Sequence, residues 1–111
     1  MGLEHTEAES AAVAKAPRVS LESMKAKIAA QYEFTAGQAV KALGSPAHDA
    51  LDLLSVCVLV MQNGFVLIGK SAPASAANFN ADLGRKFAYE DAIRQLWPME
   101  GYALRERLAS Q

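Results

Sequence analysis

One cysteine and two histidines are the only thiol and imidazole side chains in this 111-residue sequence. Cys57 falls inside the apolar run Val56-Cys57-Val58-Leu59-Val60-Met61, where a thiol behaves as a small, inert hydrophobe. His48 stands beside Asp49. Such a pair can orient a general base, but no nucleophile has a claim to lie next to it. His5 is far off near the N-terminus, and two histidines and one cysteine so spread supply no zinc site. Gly64, Gly69 and Gly84 match no phosphate-loop fingerprint. The expectation is a binding module: not an enzyme, with no metal and no cofactor.

Residues suited to binding are easier to find. On a helical wheel Arg85 falls among Ala81, Ala88, Tyr89, Ala92 and Leu96, a small and apolar sector where an unpaired charge is expensive. It therefore needs an anion, either an internal carboxylate such as Glu100 or a ligand phosphate held bidentately. The loop Ser71–Asn78 leads into a helix start, and the free N–H groups of a helix N-terminus favour anions. Phe65, Phe79 and Tyr102 offer faces on which a base can stack, or they pack in the core. Arg105 and Arg107 read as a solvated helix face, with binding as the alternative.

These side chains must be positioned by a handful of elements. Residues 1–19 are Ala- and Glu-rich without a period and are expected to be a disordered tail; residues 20–111 then form a single domain. Ser20 can cap a helix over about 20–32, with Leu21, Met24, Ile28 and Tyr32 on one face. Thr35 to Leu43 allows a turn or two of helix stopped at Gly44, and residues 49–54 are either extended or a helical turn. Asn63-Gly64 between two β-branched runs is a strong hairpin signal. A two-residue turn there pairs Gln62 with Phe65, Val60 with Leu67 and Val58 with Gly69. Both faces of that hairpin are apolar, so something must cover each side, either helices or another subunit. A long helix is expected from Asn78 or Asn80 to about Leu96, with a charge ladder of Asp82, Lys86, Glu90 and Arg94 and a small face of Gly84, Ala88 and Ala92. Trp97-Pro98 should break it, and a last helix should follow to about Leu108. The fold class is α+β: a small antiparallel sheet built on a β-hairpin, flanked by an N-terminal helix and two C-terminal helices.

A net charge of −1 argues against a broad grip on duplex nucleic acid. Hydrophobic residues make up 51% of the chain, a heavy load for so small a domain, and self-association relieves it. A lone cysteine forms no disulfide framework. Glu4, Glu7 and Glu9 stand where a signal peptide carries positive charge, and the longest apolar stretch, Leu53–Met61 broken only by Ser55, is too short to span a membrane. A soluble, cytoplasmic protein is the expectation.

Certain strings, in order, carry a family likeness: Leu54-Ser55-Val56-Cys57-Val58-Leu59-Val60, Asn63-Gly64-Phe65, Gly69-Lys70-Ser71-Ala72, Asn78-Phe79-Asn80, Gly84-Arg85-Lys86, Tyr89-Glu90 and Trp97-Pro98-Met99-Glu100-Gly101-Tyr102. Over about residues 20–108 the chain resembles a family of small phage and prophage proteins typified by gene products of phages N4 and Sf6. Pro73 departs from the pattern, which expects Cys or another small residue, and this touches the loop conformation. The resemblance extends to the first type of Thoeris anti-defence proteins. It implies a sponge, which holds the glyco-cyclic ADP-ribose signal made by TIR proteins without cleaving it. It also implies hexamers, and separate pockets for cyclic di- or trinucleotides. By position in the shared motifs, Phe65, Ser71, Ala72, Asn78, Phe79, Arg85, Tyr102 and Arg105 are the candidate ligand-binding residues. The resulting expectation is a homo-oligomer, dimer to hexamer, acting in the cytoplasm of the infected bacterium. The rival is a phage early protein that binds and inhibits a host protein.

Overall fold

The computed structural model describes residues 2–13 and 16–111. Among these described residues, three strands and four α-helices are joined by two short 3₁₀ turns, at Asp49–Leu53 and Ala76–Asn78. In chain order these are α1 (Leu3–Val13), α2 (Leu21–Ala26), β1 (Ile28–Thr35), α3 (Ala36–Ala42), β2 (Ser55–Met61), β3 (Val66–Ser71) and α4 (Ala81–Ala109). The sheet is antiparallel in the order β1-β2-β3. The α+β class expected from the sequence is the one observed.

The hairpin is where it was expected, but its register differs by one residue. Val60 pairs with Val66, Leu59 with Leu67, Val58 with Ile68 and Cys57 with Gly69. The loop has three residues: the Met61 N–H donates to the Phe65 carbonyl at 2.8 Å, and the Gly64 N–H to the Met61 carbonyl at 2.9 Å. Only Gly64, at φ 88°, takes the left-handed conformation, so a tight turn followed by a glycine bulge replaces the two-residue mirror-image turn. Because side chains alternate with period two, the slip moves every β3 side chain to the other face relative to β2. Cys57, Leu59 and Met61 now share the buried face with Leu67 and Gly69. Val56, Val58 and Val60 share the opposite face with Val66, Ile68 and Lys70.

The segment expected to extend the first helix to residue 32 is instead strand β1. Helix α2 stops at Ala26 after burying Leu21 and Met24 and taking an N-cap bond from the Ser23 N–H to Ser20 Oγ. Residues 28–35 then line the free edge of β2, with Tyr32 opposite Val58 and Phe34 opposite Val56. A helix of two further turns would gain only local bonds. Pairing gives the apolar β2 a second neighbour, and this tertiary gain outweighs helical periodicity. Thr35 ends the strand and caps α3 in a reciprocal box with Gln38, and Gly44 (φ 79°) follows that helix, as the sequence implied.

Helix α4 runs for 29 residues without a break, about 44 Å at 1.5 Å per residue, which sets the long dimension of a 54 × 29 × 17 Å molecule. It was expected to stop at Trp97-Pro98. Proline removes one helical bond and crowds the carbonyl four residues back, that of Arg94. Arg94 is on the exposed side, where water satisfies a freed carbonyl. Buried Leu96, half-buried Trp97 and the Glu100–Lys27 ion pair hold the helix to the domain on both sides of the proline. Ala88 and Ala92 are fully buried against Gly69, where a Cβ would overlap the Ala88 carbonyl oxygen. Gly84 lies as closely on Ser55. The small-residue face read from the sequence is the contact that lets helix and sheet touch backbone to backbone.

The N-terminal segment, expected to be a disordered tail, carries helix α1, whose Leu3 is buried with Met24, Leu59, Ile93 and Leu96. Glu7 ties it down: it accepts the Leu21 N–H at 2.7 Å and pairs with Arg18. A buried leucine and a satisfied backbone donor outweigh the poor periodicity that suggested a tail. Met1, Ala14 and Lys15 of that expectation lie outside the described residues.

Candidate ligand-binding groove

Helix α4 packs mainly on β3 and β2, leaving the inner face of β1 uncovered. A groove results between β1 and the first third of α4. Two adjoining cavities of about 340 and 540 Å3 make it up, and both are walled by Glu33 of β1 and Arg85 of α4. The smaller continues to Phe34, Thr35, Gln38, Asp52, Ser55 and Phe79. The larger continues to Lys25, Ile28, Gln31, Lys86 and Tyr89. Volumes of a few hundred Å3 with a small set of polar groups suit a small molecule.

Arg85, like Glu33, lines both cavities of this groove. Its helical-wheel position is explained by geometry: the same sector that buries Ala88 and Ala92 farther along overhangs the uncovered strand at this end, so Arg85 is exposed, at 47% of its side chain. The internal partner considered for it, Glu100, is taken by Lys27 at 2.7 Å. Arg85 instead bonds Asp82 one turn back, whose side chain is 88% exposed. Such a solvated pair contributes only about 0–1 kcal/mol, so an incoming anion competes for the guanidinium at little cost. Lys25 and Lys86 add positive charge, and Glu33 and Asp52 supply acceptors for hydroxyl or amino groups. Gly37 is buried against Asp52, where any Cβ would meet its carboxylate.

Phe79 faces two cavities. Beyond it lies a third, of about 200 Å3, lined by Ser71, Ala72, Pro73, Asn78, Asn80, Leu83, Gly84 and Phe87. Five of the sequence-derived candidates thus gather at the start of α4: Ser71, Ala72, Asn78 and Phe79 in the small cavity, with Arg85 beyond the Phe79 ring. Asn80, with Oδ1 accepting the Leu83 N–H at 3.1 Å, is the cap that fixes this helix start. Phe65 is not with them. It lies at the hairpin, in a separate cavity of about 480 Å3 with Lys27, Met61, Leu96, Met99 and Arg107. Tyr102 and Arg105 are exposed on the far part of α4 and line neither region. Lys25, Gln31, Glu33, Gln38, Asp52, Lys86 and Tyr89 were missed. The segment to residue 32 was read as helix and residue 33 was left unassigned, and only the strand assignment brings Gln31 and Glu33 to the groove that Arg85 lines.

The remaining reactive types serve the fold. Burial, and then the neighbouring Glu33 carboxylate, push the Cys57 thiol up to about 11, so it is protonated at neutral pH. His48 caps the first 3₁₀ turn, Nδ1 accepting the Ala50 N–H at 3.0 Å, and His5 pairs with Glu9 at 2.9 Å. Of the charge ladder, Glu90 and Arg94 lie 3.9 Å apart, with Glu90 buried, while Asp82 turns to Arg85. Among the described residues no group of three His, Cys, Asp or Glu side chains is placed to hold a metal ion, and no helix is long and apolar enough to cross a membrane.

A three-stranded antiparallel sheet backed by one long helix, with a polar groove where the helix leaves the edge strand, defines the class: a small α+β protein with a groove of ligand size. The chain belongs to the phage protein (N4 Gp49/phage Sf6 gene 66) family, whose model matches residues 19–108. That match covers the sheet, the whole groove and α4 up to its last residue, and omits α1. No curated protein and no solved structure matches the chain.

Proposed function

We propose that this phage-family protein is an anti-defence sponge that binds a cyclic nucleotide immune signal in the host cytoplasm and sequesters it uncleaved, with glyco-cyclic ADP-ribose as the first candidate and cyclic di- or trinucleotides as further ones. The observation that supports this reading is the position of Arg85. It stands between two adjoining cavities, its exposed Asp82 partner is easily displaced, and the capped N-terminus of α4 and the Phe79 ring lie beside it. A cyclic ADP-ribose-like ligand presents a pyrophosphate, riboses and an adenine. Arg85, with Lys86 and Lys25, matches the pyrophosphate. Glu33 and Asp52 match ribose hydroxyls or the adenine amino group, and Phe79 matches the base. Sequestration needs no acid–base pair or activated nucleophile, only a preformed site whose ordering cost is already met. Self-association into a homo-oligomer belongs to the same proposal, since the chain carries more apolar surface than one copy covers.

The test is to incubate purified protein with the TIR-made signal, remove free ligand, heat the protein and analyse what is released by mass spectrometry. Unchanged ligand appearing only after heating supports sequestration. A linear or otherwise modified product would mean turnover, and failure to retain any cyclic nucleotide would sink the proposal.

A further inference from the structure

The charges of the groove are sorted along its length. Arg85 and Glu33 line both cavities, but the charged residues that belong to only one of them differ in sign. Lys25 and Lys86 line the larger cavity, and Asp52 lines the smaller. The groove therefore has a cationic half and an acidic half, with Arg85 and Glu33 common to both.

The carboxylates of the acidic half keep their charge available. Glu33 Oε1 accepts from Gln31 Nε2 at 2.7 Å, a neutral donor that orients the carboxylate without compensating it. Among the described residues no cationic side chain lies within ion-pair distance of Glu33. Asp52 has Lys41 at 4.0 Å, with both side chains more than half exposed, so that pair is weak. Ser55 marks the same half in another way. It is 3% exposed and lines the smaller cavity. Among the described residues its hydroxyl makes no hydrogen bond, so it is left for whatever fills that cavity.

Such an arrangement sorts the parts of a ligand. Carboxylates accept bonds from hydroxyl and amino groups, and a buried hydroxyl gains from a neutral polar partner. A phosphate brought beside two carboxylates meets like charge instead, and repulsion of this kind is how a site rejects the wrong ligand.

We propose that Glu33 and Asp52 are specificity-determining residues of the groove: they admit a cyclic nucleotide whose phosphates all lie on one side, and turn away those whose phosphates are spread around the ring. The proposal rests on the reading of the groove as a cyclic-nucleotide site, and it ranks the ligands named for it. Glyco-cyclic ADP-ribose has a single pyrophosphate. With that group in the cationic half, only uncharged ribose and adenine groups reach the acidic half, where Ser55 and the two carboxylates can bond them. A cyclic dinucleotide has phosphates on opposite sides of its ring. Whichever of them enters the cationic half, the other is carried toward Glu33 and Asp52.

The experiment is isothermal titration calorimetry of the full chain with glyco-cyclic ADP-ribose and with cyclic di-AMP, which has the same base but separated phosphates. The wild type should bind the first about tenfold more tightly or better, as two repelling carboxylates imply. Glu33→Gln and Asp52→Asn keep the side-chain shape and remove the charge. Each should strengthen cyclic di-AMP about two- to fivefold, the scale of interaction between partly solvated charges, and leave glyco-cyclic ADP-ribose unchanged or weaker. Glu106→Gln, exposed on the far part of α4, should not alter the ratio, which separates a local effect from one of net charge. Adding Arg85→Ala to Glu33→Gln should abolish the gain, because the gain belongs to the groove. Should Asp52→Asn unfold, Glu33→Gln carries the test, since residue 33 is exposed on the edge strand. Variants with native circular dichroism and the wild-type ratio would overturn the proposal and leave the groove a nucleotide site. A wild type that prefers cyclic di-AMP would do the same. If wild type and variants bind neither ligand, the nucleotide reading of the groove fails and this proposal falls with it.

Discussion

Two glycines separate the costs of contact and of chain entropy. At Gly69 a methyl group would overlap the Ala88 carbonyl and crowd Ala92, both on the backbone of α4, so neither can swing aside. Gly69→Ala should therefore lift α4 from the sheet and destabilise the fold by about 1–3 kcal/mol or more. Gly101 lies in the same helix with nothing within reach of a Cβ. Gly101→Ala should stabilise by about 0.5–1 kcal/mol, the helix-propensity difference. Urea denaturation of both variants checks this, and equal effects of the same sign would show that α4 does not rest on Gly69. The importance of the Gly84, Ala88 and Ala92 face could be read from spacing alone, because period 3.6 is local. The state of Arg85 could not. Whether a guanidinium is buried depends on whether a strand lies beneath it, and that strand was read as helix.

At the scale of elements, two segments were hard to read for opposite reasons. Strand β1 has helix-compatible periodicity and becomes a strand because β2 offers it an edge. Helix α4 contains Pro98 and continues because packing on both sides exceeds a local penalty. Pro98→Ala should accordingly raise the unfolding free energy, by up to about 3 kcal/mol, without changing the helix content seen by circular dichroism. A fall in stability would mean that the proline sets a bend the core requires. Helix α1, in the segment expected to be a tail, hangs on Glu7. The hydrogen bond from the Arg18 guanidinium holds its carboxyl below the usual carboxylate value against the opposing effect of burial, and the Leu21 N–H adds a smaller pull in the same direction as Arg18. A depressed acid contributes stability above its unfolded value of about 4.3, and that contribution is lost as pH falls through the lower folded value. Amide exchange in Leu3–Val13 should therefore rise selectively as pH drops from about 5 to about 3, once corrected for intrinsic rates. Glu7→Gln should show the same exposure at neutral pH, and unchanged protection in both cases would mean that Leu3 alone docks the helix.

For the whole molecule, the groove should unfold together with the sheet and core, because Arg85 sits on the first turns of the helix whose middle fills the core and Phe79 directly precedes its Asn80 cap. A ligand held in the groove should therefore stabilise the entire fold and not a loop. At a free ligand concentration of about 100 times Kd, linkage gives about 2.7 kcal/mol. In a domain of about 100 residues that moves Tm upward by roughly 10–20 °C. The shift should grow with the logarithm of ligand concentration, as thermal scans of the chain with glyco-cyclic ADP-ribose would show. Adenosine, which has the base and ribose but no phosphate, should give little shift. Arg85→Ala should keep its ligand-free Tm within a few degrees, since only the exposed Asp82 pair is lost, yet it should lose most of the ligand-induced shift. If Arg85→Ala unfolds the ligand-free protein, the arginine is structural. If it keeps the full shift, the phosphates lie elsewhere, and the hairpin cavity with Lys27 and Arg107 becomes the place to look.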